Sequence, residues 1–186
     1  MKRAFDLFLA LLALVVLAVP LLLIAFLVKL SSRGPILYWS DRVGRNNTVF
    51  RMPKFRSMKA DTPTVATHLL QNPESCLTPV GGLLRQSSLD ELPQLWSILK
   101  GDMSLVGPRP ALYNQQDLIE LRTRCGVHRL RPGLTGWAQV NGRDDLPIAQ
   151  KVKLDLAYMG RQSLLFDAKI ILLTMLRVAQ RDGVSH

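Results

Sequence analysis

"LFLALLALVVLAVPLLLIAFLV", Leu7 to Val28, is 22 consecutive residues without a charge or a hydrogen-bonding side chain. At about 1.5 Å per residue, a helix of that length covers a hydrocarbon core of roughly 30 Å. The run therefore belongs in a membrane. A secretory leader fits poorly, because its apolar region would be only about 7–15 residues long and no small-x-small site stands before Lys29. Pro20 lacks an N–H and clashes with the preceding turn, so a break is expected there. Lys2 and Arg3 precede the run, and Lys29, Arg33, Arg42 and Arg45 follow it, so the basic bias that marks a cytoplasmic side stands at both ends. The arms on either side of Pro20, 13 and 8 residues, are each too short to span. That fits a re-entrant hairpin dipping into one leaflet; a single kinked span is the alternative. Two units are expected: residues 1–30 as a membrane helix-break-helix, and residues 31–186 as a compact cytosolic, membrane-associated domain.

The composition agrees with one globular core plus a membrane piece. Of 186 residues 48% are hydrophobic, and the mean hydropathy is +0.14, high for a purely soluble domain. The formal net charge is +10, and between Lys29 and Lys59 eight basic residues accompany a single acid, Asp41. Such a field favours phosphates, nucleic acid or an anionic lipid surface. Cys76 and Cys125 form no CxxC pair, which points to a reduced compartment rather than a zinc site or disulfide framework.

The fold class expected is α+β, mainly helical, with short strands and amphipathic interfacial helices. Aromatic and β-branched residues around Gly44-Arg45-Asn46-Asn47 predict a hairpin of Ile36–Arg42 and Val49–Arg56, with Pro53 keeping the second strand at an edge. Asp61–Thr78 reads as a loop and Gly101–Pro110 as irregular. Helices are expected over Pro79–Gln86, Asp90–Leu99, Ala111–Arg124, 147–160 and 163–181. Trp137, Gln139 and Asn141 alternate with Ala138 and Val140, the spacing of a short strand ending at an Asn-Gly turn. The last helix gathers Leu164, Leu165, Ala168, Ile171, Leu172, Met175, Leu176 and Ala179 on one face, against Asp167, Thr174, Arg177 and Arg181. Core packing is the default for such a stripe, and a bilayer surface would also accept it.

"SSLDELPQLWSILKGDMSLVGPRP", Ser87 to Pro110, sets two carboxylates side by side in a basic chain. With Ser88 as N-cap, Glu91 would close a capping box, but Pro93 would fall where its missing N–H is needed. With Asp90 as N-cap, Pro93 falls in the first turn, where no N–H partner is required, and Glu91 favours the helix dipole. The second register is sterically better and makes Asp90 a structural cap. The neighbouring cations favour chemistry instead. Arg85 lies just upstream, Pro108 and Pro110 hold Arg109 on extended backbone, and "PKFRSMK" supplies Lys54, Arg56 and Lys59. Two acids among such cations are what a metal-dependent diphosphate site requires: carboxylates to meet Mg²⁺ or attack phosphorus, and cations to neutralise the transferring group.

"KFRSM" (54–58), "RQSSLDELPQLWSILKGDMSLVGPRP" (85–110) and "RPGLTGWAQVNGR" (131–143), in this order behind a basic-flanked apolar segment, resemble the bacterial sugar transferases, the small monotopic phosphoglycosyl transferases. The resemblance covers essentially the whole chain, so the short form of the family is expected rather than one led by a multispanning region. It implies transfer of a sugar-1-phosphate from a UDP-sugar to undecaprenyl phosphate, on the cytoplasmic face of the bacterial plasma membrane. The products would be undecaprenyl diphosphosugar and UMP. It also implies Mg²⁺ held at Asp90 and Glu91, with Asp90 as a nucleophile that a helix N-terminus keeps ionised and Glu91 as its partner. Lys54, Arg85 and Arg109 match phosphate-binding positions, and Arg56, Gln139, Asn141 and Arg143 are further candidates for substrate contact. The partners implied are the two substrates and the phospholipid bilayer, not nucleic acid; a homodimer is left open. Where the family usually has Ser-Pro at the membrane break, this chain has Val19-Pro20. The competing reading is a membrane-anchored basic scaffold without catalysis, which explains the charge but not the Asp-Glu pair. A phosphotransferase acting on CDP-activated alcohols would need an aspartate-rich helix that is absent.

Overall fold

The apolar run folds as two helices, α1 (Lys2–Val16) and α2 (Ala18–Ser31), bent by 64° where they meet at Leu17. The structure, a computed structural model, describes residues 1–59, 62, 74–142 and 146–180. The bend lies three residues ahead of Pro20, which takes the third position of α2. Physically this is where the proline acts, since it removes the N–H that would meet the carbonyl of Val16 and its ring crowds that carbonyl. No single helix among the described residues is long and apolar enough to cross a membrane; the bent pair together is.

Both ends of the pair are fixed to the same body. At the start of α1, Arg3 donates to the carbonyls of Ile98 and Leu99 (2.6 and 3.0 Å), Lys2 pairs with Asp167 (2.7 Å), and Asp6 accepts from Ser104 Oγ (2.8 Å). At the end of α2, Arg56 donates to the carbonyls of Ser32 and Arg33. Gly34, at φ +126°, leaves the room that the Arg56 guanidinium fills. Between these anchors Ala10, Ile24 and Val28 are buried against the domain, whereas Phe8, Leu12, Val16, Leu23, Phe26 and Leu30 are exposed.

The expected hairpin forms as β1 (Leu37–Val43) and β2 (Val49–Phe55), paired antiparallel with Tyr38 opposite Lys54. Pro53 sits on the edge strand, since the sheet order is β2, β1, then β4 (Ala111–Leu112). One face carries Ser40, Phe50 and Met52 into the core and takes Lys54 with it. Next come α3 (Gly81–Gln86), a 3-10 turn over Leu89–Gln94, and α4 (Leu95–Lys100). The core gathers Ala10, Phe50, Met52, Leu95, Ile98, Met103, Val106, Tyr158 and Ile170.

Four expectations are corrected. The stretch Gly101–Pro110 is not wholly irregular: β3 (Ser104–Val106) pairs parallel with β5 (Gly133–Thr135). Their approach depends on glycine, because a methyl at Gly107 or Gly133 would collide with the facing backbone. Trp137–Asn141 is not a strand but a tight turn ending in a 3-10 segment, Gln139–Asn141. The helix expected from Ala111 begins only at Gln116, as α5 (Gln116–Arg124), because Ala111 and Leu112 are claimed by the sheet.

The last helices are α6 (Ile148–Arg161) and α7 (Leu164–Gln180). Here α7 reverses its expected face: Asp167 and Ile170 are fully buried, while Leu165, Leu172, Met175 and Leu176 are exposed. Asp167 can lie inside because Lys2 and the Tyr158 hydroxyl satisfy it. The apolar stripe is thereby turned outward, continuing the class of surface that α1 and α2 present. The side chain of Ala179, Arg181, Arg143, and residues 60, 61 and 63–73 of the expected loop region lie outside the described residues. The whole is a mixed α/β fold, mainly helical.

Candidate active site

Asp90 and Glu91 sit inside the 3-10 turn, behind Ser88 in the left-handed conformation (φ 57°, ψ 15°). A left-handed residue other than glycine costs on the order of 1 kcal/mol, and such residues cluster at functional sites. Ser88 makes no side-chain capping bond, so the turn has no capping box, and Asp90 lies within the turn rather than at its start. The capping role that would have made Asp90 merely structural is therefore absent. Asp90 is nonetheless 7% exposed.

Three elements bring cations to this pair. From β2, Lys54 Nζ lies 2.7 Å from Glu91 Oε1 and 3.9 Å from Asp90 Oδ2. From the Pro-Arg-Pro segment, Arg109 Nη2 lies 3.0 Å from the same Glu91 oxygen. From α3, Arg85 contributes its charge to Asp90 and hydrogen-bonds the Met58 sulfur at 3.4 Å.

The environment separates the two carboxyls. Burial pushes Asp90 above its ordinary range, assisted by Glu91, and Lys54, Arg85 and Arg109 only partly offset it. Burial would raise Glu91 too, but Arg109 and then Lys54 outweigh it and hold Glu91 well below the usual carboxylate range. The expectation that a helix N-terminus keeps Asp90 readily ionised is thus corrected. The turn is six residues of 3-10 geometry, and desolvation dominates.

The remaining candidates are engaged elsewhere. Arg56 is 4% exposed and caps the end of α2, so it serves as a clasp rather than an open phosphate ligand. Gln139 is buried and donates to the Leu134 carbonyl; Asn141 donates to the Trp137 carbonyl. None of the contacts described joins them to the carboxylate pair. No group of three or more His, Cys, Asp or Glu suited to a metal occurs among the described residues. Two adjacent carboxylates still fit Mg²⁺, which is commonly held by one or two carboxylates with substrate phosphates and water completing the shell.

The family model for bacterial sugar transferases matches residues 1–181. An undecaprenyl-phosphate glucose phosphotransferase of Komagataeibacter xylinus is 44% identical over 189 residues, covering 95% of this chain and 35% of that protein. A UDP-glucose:undecaprenyl-phosphate glucose-1-phosphate transferase of Escherichia coli K12 is 43% identical, with 95% and 40% covered. The chain thus spans well under half the length of these two relatives. The sugar transferase EpsL of Bacillus subtilis 168, itself uncharacterized, is 39% identical, with 100% of this chain and 91% of that protein covered. With the Asp90-Glu91 pair and its three cations folded from the blocks that carry the likeness, the chain belongs to the bacterial sugar transferase family.

Proposed function

We propose that this protein transfers a sugar-1-phosphate from a UDP-sugar to undecaprenyl phosphate, through a covalent intermediate on Asp90. The observation that carries the reading is Asp90 itself. It is a buried carboxylate with no capping task, beside three cations, while its neighbour Glu91 absorbs the ion pairs of Lys54 and Arg109. The names of the relatives supply the substrate classes.

In the first displacement an Asp90 carboxylate oxygen attacks the β-phosphorus of the donor. The new O–P bond forms as the bridging P–O bond breaks, and UMP leaves with that electron pair. In the second, a phosphate oxygen of undecaprenyl phosphate attacks the same phosphorus and restores the carboxylate. Lys54, Arg85 and Arg109 bind and neutralise the phosphates in both steps, the contribution on which phosphoryl transfer chiefly depends. Glu91, kept ionised, holds Lys54 and Arg109 on the Asp90 side of the site. Mg²⁺ bound by Asp90 or Glu91 together with the donor diphosphate would add charge neutralisation.

The bent helix pair supports a monotopic placement on the cytoplasmic face of the bacterial plasma membrane. Its two ends are bonded to one globular body, and both carry basic residues. The outward apolar stripe of α7 would rest on the same leaflet. The test is UMP release by the purified chain given undecaprenyl phosphate, Mg²⁺ and a panel of UDP-glucose, UDP-galactose and their N-acetylated amino forms. Release that depends on the lipid phosphate is expected with at least one donor. A folded protein that turns over none of the panel would overturn the reading.

A further inference from the structure

Arg109 stands between two prolines, so the backbone on either side of it has no N–H to give. Apart from the N–H of Arg109 itself, only carbonyls can hold this segment, and the three consecutive carbonyls of Pro108, Arg109 and Pro110 are each taken by a different donor. Gly133 N reaches Pro108 at 2.9 Å, Arg122 Nη1 reaches Arg109 at 2.7 Å, and Arg42 Nη1 reaches Pro110 at 3.3 Å. The middle bond is the unusual one. Arg122, on α5, is 9% exposed and turns the other side of its fork on Asp155 of α6, with Nε at 2.9 Å and Nη2 at 2.7 Å from the same oxygen. Asp155 is 2% exposed.

A buried ion pair is a weak way to gain stability, since an apolar pair of similar volume is often as good or better. What an apolar pair lacks is a third donor directed at a chosen carbonyl. We infer that Arg122, oriented by Asp155, is a positioning residue that fixes the backbone of Arg109 and so holds its guanidinium on Glu91. α5 and α6 otherwise have no contact with the carboxylate pair among those described. Through this bond their packing sets the geometry of one of the site's three cations. The inference rests on the reading of Arg109 as a phosphate-site residue.

The fork is essential, because two acceptors lie on its opposite sides. Arg122→Lys keeps a positive charge for Asp155 but cannot place separate nitrogens on Asp155 and on Arg109 at once. Turnover of the UDP-sugar accepted by the wild type, measured by UMP release, is expected to fall about 10- to 100-fold, the scale of a small misplacement of a catalytic group. In an Arg109→Ala background the same change is expected to cost no more than about twofold, since its target is gone. Should Arg122→Lys lower the yield of folded protein, Arg122→Met with Asp155→Leu replaces the pair by an apolar one, with the same two outcomes expected.

Effects of Arg122→Lys and Arg109→Ala that multiply, or a full-rate Arg122→Lys beside an impaired Arg109→Ala, would overturn the inference alone. A full-rate Arg109→Ala would overturn the reading on which it rests.

Discussion

Lys54 Nζ lies 2.7 Å from Glu91 Oε1 but 3.9 Å from Asp90 Oδ2, so one lysine divides two adjacent carboxyls into an ion-paired partner and a less strongly held neighbour. The chain gives that neighbour no capping task. A carboxylate left in this state within a basic site is suited to attack phosphorus.

Asp90→Asn is expected to fold and to lose roughly 10³-fold or more of its turnover. Its stability at neutral pH should equal or exceed that of the wild type. Burial raises Asp90 in the folded state, so its ionised form weighs against folding once pH rises through that raised value, and asparagine removes this cost. Thermal melts and UMP release together check both halves.

Turnover should fall on the acid side as pH drops through the raised value of Asp90, while Glu91, held low by Arg109 and Lys54, stays ionised. Lys54→Met removes the strongest charge opposing the burial of Asp90. The acid limb of the pH–rate profile is therefore expected to move to higher pH, along with a lower plateau. A limb that stays in place would separate Asp90 from the titration.

Much of the fold was legible locally. The hairpin follows from aromatic and β-branched residues on either side of a Gly-Arg-Asn-Asn turn, and Pro53 marked its own strand as an edge. What local patterns could not carry is pairing between distant segments. The parallel partners β3 and β5 are three residues each, and their signal was glycine spacing rather than apolar alternation. The inward face of α7 was misread because Asp167 looks like a solvent residue until Lys2, 165 positions away, arrives beside it. Within the site, Lys54 and Arg56 share a motif, yet one meets Glu91 and the other caps α2. No compositional rule separates them. Arg122 read as one more charge on a polar helix, and only the fold shows that Asp155 and a proline-flanked carbonyl share it.

Arg56→Met should loosen the α1–α2 pair from the end of β2. The carbonyls of Ser32 and Arg33 lose their charged donor, a hydrogen bond of this kind contributing roughly 1.5–3 kcal/mol at most where water replaces it. A lower melting temperature is expected, whereas the same change at exposed Arg51 should have little effect. Equal melts for the two variants would contradict the clasp.

Single cysteines at Ala4 and Arg33, in a chain whose Cys76 and Cys125 are replaced by serine, are both expected to escape a thiol reagent confined to the periplasm in intact cells. Both positions are exposed, and both flank anchors on the same body. Labelling at Ala4→Cys alone would establish a spanning helix.

The most direct measurement is the intact mass of the protein mixed with an accepted UDP-sugar and Mg²⁺ in the absence of undecaprenyl phosphate, followed by peptide mapping. One added sugar-phosphate on the peptide containing Asp90, discharged when the lipid phosphate is supplied, is the expected result. Full turnover with no such adduct at any time point, in a preparation trapped rapidly enough to see one, would show that donor and acceptor react directly and that Asp90 is not the nucleophile.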